Sequence, residues 1–292
     1  MVRRIERKPV EKLDRLVDSV LGPHVPPVAS VKPGEVVEVE TWDAFTGVTN
    51  PVTGPIEIEG AERGDTLVVE IMDIEMPDKG VTAIVSGFGA LEGWLNLFEP
   101  RRKECEIRDG TIHYVTEDGR TLEIEADPFI GTIGVSPYFE AITTLSPGTH
   151  GGNMDCPDIR PGNTLMLPVF RPGALFALGD VHAVQGDGEV CGVAVEIPAV
   201  VTLRLGLEKG RTIGWPRVES DSEIMTVGSA RPLEDAARQA FREMVDWMAS
   251  DYGWEREDAY MFLSLAARAR IAQIVDPLYT VVVKLDRRYL ED

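Results

Sequence analysis

The chain has 292 residues, 43% of them hydrophobic, enough to bury a substantial core and too many for disorder to be the default. Its formal charge of −20 repels phosphate backbones and anionic lipid faces, so neither nucleic acid nor a membrane surface is expected as a partner. Small neutral molecules and cations suit such a surface better.

The first stretch, MVRRIERKPVEKLDRL, mixes charges of both signs and carries no apolar run behind its arginines, unlike a secretory signal. No segment approaches the roughly eighteen apolar residues of a membrane span. Three cysteines, Cys105, Cys156 and Cys191, cannot all pair within one chain, and none lies in a C-x-x-C. A reduced, cytoplasmic setting is the expectation.

In chain order, residues 35–40 (EVVEVE) and 66–74 (TLVVEIMDI) alternate or run apolar with β-branched side chains, as strands of a half-buried sheet do. Further strands are expected at 111–115, 121–124, 164–169, 174–178 and 199–205, separated at short intervals by Gly, Pro, Asp and Asn. Arg63-Gly64-Asp65-Thr66-Leu67 and Pro161-Gly162-Asn163-Thr164-Leu165 repeat one phrase, a glycine turn ahead of a strand start. Either a reused turn or an internal duplication of β-units accounts for it.

Residues 232–252 change period: Leu233, Ala236, Ala237, Ala240, Phe241, Met244 and Met248 follow helical spacing, with Pro232 at the start and Gly253 at the stop. A second helix is expected over 255–275, ending before Asp276-Pro277, and a final strand over 279–285. The fold class is therefore α+β and predominantly β. A sandwich- or barrel-like body over residues 1–228 is expected to carry a helical pair and last strand over 229–292.

Polar groups able to do chemistry concentrate in residues 148–197. The run opens Gly148-Thr149-His150-Gly151-Gly152-Asn153-Met154-Asp155 and continues Gly179-Asp180-Val181-His182-Ala183-Val184-Gln185-Gly186-Asp187-Gly188-Glu189, ending near Glu196. Two of the four histidines fall here, among carboxylates and glycines. Imidazole and carboxylate are the usual ligands of a catalytic divalent metal. Asp180-x-His182 places two such groups on one face if extended. Taken singly, each residue also fits a hydrogen-bonded turn, and Asp187-Gly188 is the pair best read that way. Cys191 beside Glu189 sits in an apolar, strand-like run, VCGVAVEI. No lysine lies in the segment to complete a Cys–Glu–Lys set, so buried structural thiols are expected.

HGGNMD and GDxHAxQGDGEVCG resemble the signature segments of the acetamidase/formamidase family. Similarity extends to Trp42-Asp43-Ala44, Gly54-Pro55, the stretch from Glu59 to Leu67, Leu167-Pro168-Val169-Phe170, Pro172-Gly173-Ala174-Leu175-Phe176, Glu257-Asp258-Ala259-Tyr260, Ser264 and Gln273-x-Val275-Asp276. It covers about residues 10 to 285. Cys156, after HGGNMD, stands where the family commonly has a polar or amide-bearing residue. The resemblance implies hydrolysis of formamide or acetamide to ammonia and the carboxylate, a β-rich fold and a homo-oligomer.

Such chemistry must polarise a carbonyl, activate water and protonate nitrogen. His182, Asp180 and Asp43 are the expected ligands of a divalent metal, zinc by ligand type, with His150 able to replace Asp43. Glu189 is the expected proton shuttle, with His150 and Asp155 as further catalytic groups. Asn153, Gln185 and the backbone of Gly151 and Gly152 are expected to hold the small neutral amide or its oxyanion. A calcium-holding β-sandwich without turnover, and an amidase for a larger amide or cyclic imide, are the alternatives.

Overall fold

The structure is a computed structural model that describes residues 2–95 and 99–290. Its framework is two large β-sheets. The first, nine-stranded, runs in the order Arg3–Ile5, Glu35–Glu40, Val200–Glu208, Thr66–Glu75, Thr164–Pro168, Arg217–Glu219, Glu223–Ala230, Tyr279–Asp286 and Arg268–Gln273. The second runs Thr121–Glu125, Thr111–Val115, Arg101–Arg108, Lys79–Ile84, Glu196–Ile197, Phe176–His182, Phe129–Gly134 and Gly151–Asn153. Val52–Ile58 also pairs with Phe176–His182 and carries Ala29–Val31 on its other edge. Both sheets keep free edges, so the body is a sandwich of open sheets and not a closed barrel.

Alternation along the strands builds the core. Val37, Val39, Ile71, Leu165 and Leu203 of the first sheet meet Ile56, Ile130, Phe176 and Leu178 of the second in one buried cluster. Burying a side chain of this size contributes about 1.5–3 kcal/mol.

The opposite face of the first sheet carries the helices. α1, Leu233–Tyr252, and α2, Arg256–Ala266, bury Met244, Trp247, Met248 and Leu263 against Ile224, Val283 and Leu285. Gly228 permits that contact, since a Cβ there would stand 2.4 Å from the Ala236 carbonyl oxygen. Gly253 ends α1 in the left-handed conformation (φ 69°), and its N–H donates to the Met248 carbonyl. Among the described residues, no helix is long and apolar enough to cross a membrane.

Three expectations shift. The helix foreseen over 255–275 stops at Ala266, and Arg268–Gln273 is an edge strand paired antiparallel with Tyr279–Asp286. Good local helix formers in that strand (Arg268, Ala269, Arg270, Ala272) yield to tertiary pairing. The strand foreseen at 174–178 starts at Phe176, because Ala174 and Leu175 both take φ of 55° in a turn. Cys191 sits half-buried in a turn, its thiol donating to the Val193 carbonyl (3.1 Å), and not in a strand.

Candidate active site

Phe176–His182 is the strand that organises the site. It pairs with Phe129–Gly134 on one side. On the other it meets Val52–Ile58 over its first half and Glu196–Ile197 over its last two residues. Asp180 lies where the second neighbour changes, in the left-handed conformation (φ 55°). Such a φ is costly for a residue with a Cβ and turns the carboxylate out of the regular pleat. Asp180 and His182 consequently converge, with Nε2 of His182 3.5 Å from Oδ1 of Asp180 and 3.2 Å from Oε1 of Glu196.

Three turns bring further carboxyls to the same place. Asp155 follows strand Gly151–Asn153 at φ 42° and is fully buried. Glu189 stands at φ 44° in the turn after Gly188 and is 7% exposed. Asp276 is held by its backbone, N–H to Gln273 Oε1 (3.1 Å) and carbonyl to Arg231 Nη2 (2.7 Å). Ligand atoms of Asp155, Asp180 and His182 lie within 4.8 Å of one another, as do those of His182, Glu189 and Glu196. Gly131 makes this crowding feasible: a Cβ there would stand 2.6 Å from Asp155 Oδ1 and 2.7 Å from the Asp180 carbonyl oxygen.

Amides tie the acids together. Asn153 Nδ2 donates to Asp155 Oδ2 (3.1 Å) and Asp276 Oδ2 (2.8 Å). Asn50 Nδ2 faces Thr132 Oγ1 (2.9 Å), Asn153 Oδ1 (3.0 Å) and Asp180 Oδ2 (3.2 Å). With acceptors on that side, the oxygen of the Asn50 amide points the other way. Gln185 Nε2 donates to the carbonyls of Asp155 and Ala272, both at 3.1 Å, so its Oε1 accepts from His182 Nδ1 at 3.0 Å. That fixes the Nδ1–H tautomer and leaves Nε2 facing the carboxylates.

Four buried carboxyls, Asp155, Asp180, Glu189 and Glu196, meet one imidazole, and a fifth, Asp276, joins them through Asn153. Burial pushes Glu189 well above the ordinary carboxylate range, and the Asp155 charge adds to it. Burial likewise holds Asp155 and Asp276 well up, with the Asp276 charge adding to it at Asp155 and the Glu189 charge adding to it at Asp276. Glu196 is pushed up to about 7, chiefly by burial. Burial works against ionisation of Asp180 too, yet the neighbouring His182 holds it below the ordinary value. Burial opposes the His182 charge, but Glu196 and Asp180 together raise that imidazole well above its usual value.

Among the described residues, several buried polar atoms lack any hydrogen-bond partner. In this site they are His182 Nε2, Glu196 Oε2, Asp155 Oδ1, Asp276 Oδ1 and Asn50 Oδ1. A cavity of about 520 Å³ opens onto the site, with Asn50, Asn153, Asp180, Glu189, Glu196 and Asp276 at its polar end. Unsatisfied buried acceptors are costly, and a cluster of them beside a cavity is a place made for something else to bind.

The expected residues divide. His182, Asp180, Asp155, Glu189 and Asn153 come together. Asp43 does not enter either group of ligand atoms: its Oδ1 accepts from the Phe45 N–H (2.8 Å) in a local turn. His150 also stays out of both groups, buried beneath the Gly148–Gly152 turn, where a Cβ on Gly148 would lie 3.1 Å from its Nδ1. Burial pushes its pKa down to about 4. Gly151 and Gly152 are strand residues, and Gly151 N–H is spent on the Gly148 carbonyl. Their lack of a Cβ is a packing need, since one would lie 2.3 Å from the Ile133 carbonyl oxygen at Gly151 and 2.3 Å from that of Ser146 at Gly152. Gln185, expected at the substrate, has all its polar atoms engaged in orienting His182. Cys156 is fully buried with its thiol pushed up to about 12 by burial, as a structural cysteine is.

Sequence reading overlooked Asn50 and Thr132, and gave no role to Glu196, Gln273 or Asp276. Glu196 closes the polar segment and Asp276 lies in the Gln273-x-Val275-Asp276 phrase, so the signals were an acid ending an apolar run and an acid before proline.

The model of the Acetamidase/Formamidase family matches residues 6–140 and 138–286. A crystal structure of an acetamidase from Yersinia enterocolitica aligns with a TM-score of 0.91 at 36% identity, covering 100% of this chain and 94% of that one. One from Bacillus halodurans gives 0.90 at 36% identity, covering 98% of each chain. An acetamidase from Mycolicibacterium smegmatis is 26% identical over 264 residues, 64% of this chain and 65% of its own length. The match therefore spans slightly less than two-thirds of that relative. With the fold and both signature segments in agreement, the chain belongs to the acetamidase/formamidase family.

Proposed function

We propose that the chain hydrolyses short-chain aliphatic amides, formamide and acetamide, to ammonia and the carboxylate, assisted by a divalent cation. The observation that carries this reading is the gathering of Asp180, Glu189, Glu196 and Asp276 at one cavity, with Nε2 of His182 against Asp180 and Glu196, where buried acceptor atoms are left unpartnered. The residues fit a cation. Five carboxyls against one imidazole leave an excess of negative charge, and the Gln185 contact presents Nε2 of His182 as a ligand atom. His182, Asp180 and Glu196 would hold it, and one nitrogen with carboxylate oxygens is a zinc donor set. When bound, such an ion polarises a carbonyl and lowers the pKa of water from about 15.7 to about 7.

The remaining steps belong to the chain. Glu189, whose pKa burial brings up from the acid range, accepts a proton as the water oxygen forms its bond to the amide carbon. The same carboxyl then returns that proton to the amide nitrogen, the C–N bond breaks, and ammonia leaves. A positioned group of this kind contributes about 10²–10⁴-fold. Asn50 Oδ1 and Asp276 Oδ1, both buried and free among the described residues, are suited to accept the substrate's N–H groups and aim its nitrogen at Glu189. Asn153 and Thr132 keep these acceptors in place.

The same reading makes the protein a cytoplasmic homo-oligomer. Supporting an interface are Trp94, Phe139 and Leu265, apolar side chains 84%, 78% and 83% exposed.

Ammonia release from formamide, acetamide, propionamide and urea, with and without chelator, tests the reading. Chelator-sensitive turnover of formamide and acetamide is expected. A protein that binds calcium and releases no ammonia would overturn it.

A further inference from the structure

The cavity is far larger than the substrates its polar end is built for. About 520 Å³ lies within the range of roughly 300–1,000 Å³ in which proteins bind ligands of drug size, whereas formamide and acetamide have three or four heavy atoms. Away from the acids, the wall is formed by Phe45, Val48, Val85, Phe88, Leu145 and Val193, and no charged side chain interrupts that half among the described residues. Phe88 is seated beside the catalytic turn. A Cβ on Gly192 would fall 2.4 Å from its ring, and the neighbouring Ala90 N–H donates to the Val190 carbonyl at 2.9 Å. The apolar wall is thus fastened to the segment that presents Glu189.

We propose that this wall is an acyl-group pocket, and that primary amides with an unbranched apolar chain of four to six carbons are better substrates than acetamide. The inference rests on the amide-hydrolase reading of the same site. An amide nitrogen directed at Glu189 leaves the acyl chain facing Phe88 and Val193. Four carboxyls at the polar end, Asp180, Glu189, Glu196 and Asp276, disfavour an acyl group that carries its own negative charge. Each methylene moved from water into an apolar wall is worth about 0.8 kcal/mol, or about fourfold in kcat/KM.

The test is ammonia release by the purified, metal-loaded full chain from acetamide, propionamide, butyramide, valeramide and hexanamide. A rise in kcat/KM along the series, at least tenfold from acetamide to hexanamide, is expected. Val48→Trp, which places an indole in the pocket, should cut the hexanamide-to-acetamide ratio by at least tenfold. That ratio is insensitive to partial loss of folded protein. Values that fall steadily beyond acetamide, or a ratio untouched by Val48→Trp, would overturn the acyl pocket and leave amide hydrolysis standing. Silence on every amide would overturn the underlying reading instead.

Discussion

Oε1 of Gln185 lies 3.0 Å from Nδ1 of His182 while its amide nitrogen is occupied by two backbone carbonyls, so the orientation of one side chain dictates the proton position of the other. Imidazoles that hold metals are commonly supported in this way, and loss of the support weakens metal binding about 10–100-fold. Gln185→Ala is expected to lower zinc affinity by that factor, read by competition with a chromophoric chelator. Unchanged affinity would mean that His182 is not a ligand.

Glu189 is buried beside other acids, and a neutral isostere removes its charge without changing its shape. Glu189→Gln should leave the melting temperature within a few degrees and reduce kcat on acetamide by about 10²–10⁴-fold. Near-normal turnover would take Glu189 out of the mechanism.

Gly131 lets Asp155 and Asp180 approach each other by having no side chain. Its backbone sits in regular strand Phe129–Gly134, so alanine is conformationally acceptable there, and the effect is purely one of space. Gly131→Ala should push the carboxyls apart and cost at least about 100-fold in kcat/KM, the scale of a misplacement near 1 Å. Circular dichroism should show the sheets retained.

His150 carries a pH signature. Its pKa is near 4 when folded and about 6.5 when unfolded, so between those values the unfolded chain binds more protons. Stability therefore falls as pH drops below about 6.5, and the loss is complete near 4. Between pH 7 and pH 5 this amounts to about 2 kcal/mol. Urea unfolding of the wild type and of His150→Gln at both pH values should show that share of the decline missing from the variant. Equal declines would contradict the assignment.

The local patterns that were readable in the sequence are those in which neighbours in the chain are also neighbours in the physics. Glu35–Glu40 and Thr111–Val115 show the alternation or the β-branched and aromatic residues of half-buried strands, and α1 shows the 3.6-residue period up to its glycine stop. Phe129–Gly134 is buried at every position, so no alternation marks it, and Val52–Ile58 includes Gly54 and Pro55. Arg268–Gln273 reads as helix and is made a strand by its partner Tyr279–Asp286. The site divides along the same line. His182 and Glu189 stand out because polar groups crowd together in residues 148–197. Asn50 and Asp276 reach them only through pairing across the sheets, over separations of 130 and 123 residues at the Asn50–Asp180 and Asn153–Asp276 contacts.

Metal content bears most directly on the central claim, that His182, Asp180 and Glu196 form a cation site serving Glu189. Elemental analysis of the purified wild type and of His182→Ala, set beside their rates of ammonia release from acetamide, is the measurement. A divalent metal near one equivalent in the wild type, lost together with activity in His182→Ala, is the predicted result. A wild-type enzyme that is free of metal, indifferent to chelator and fully active would contradict it.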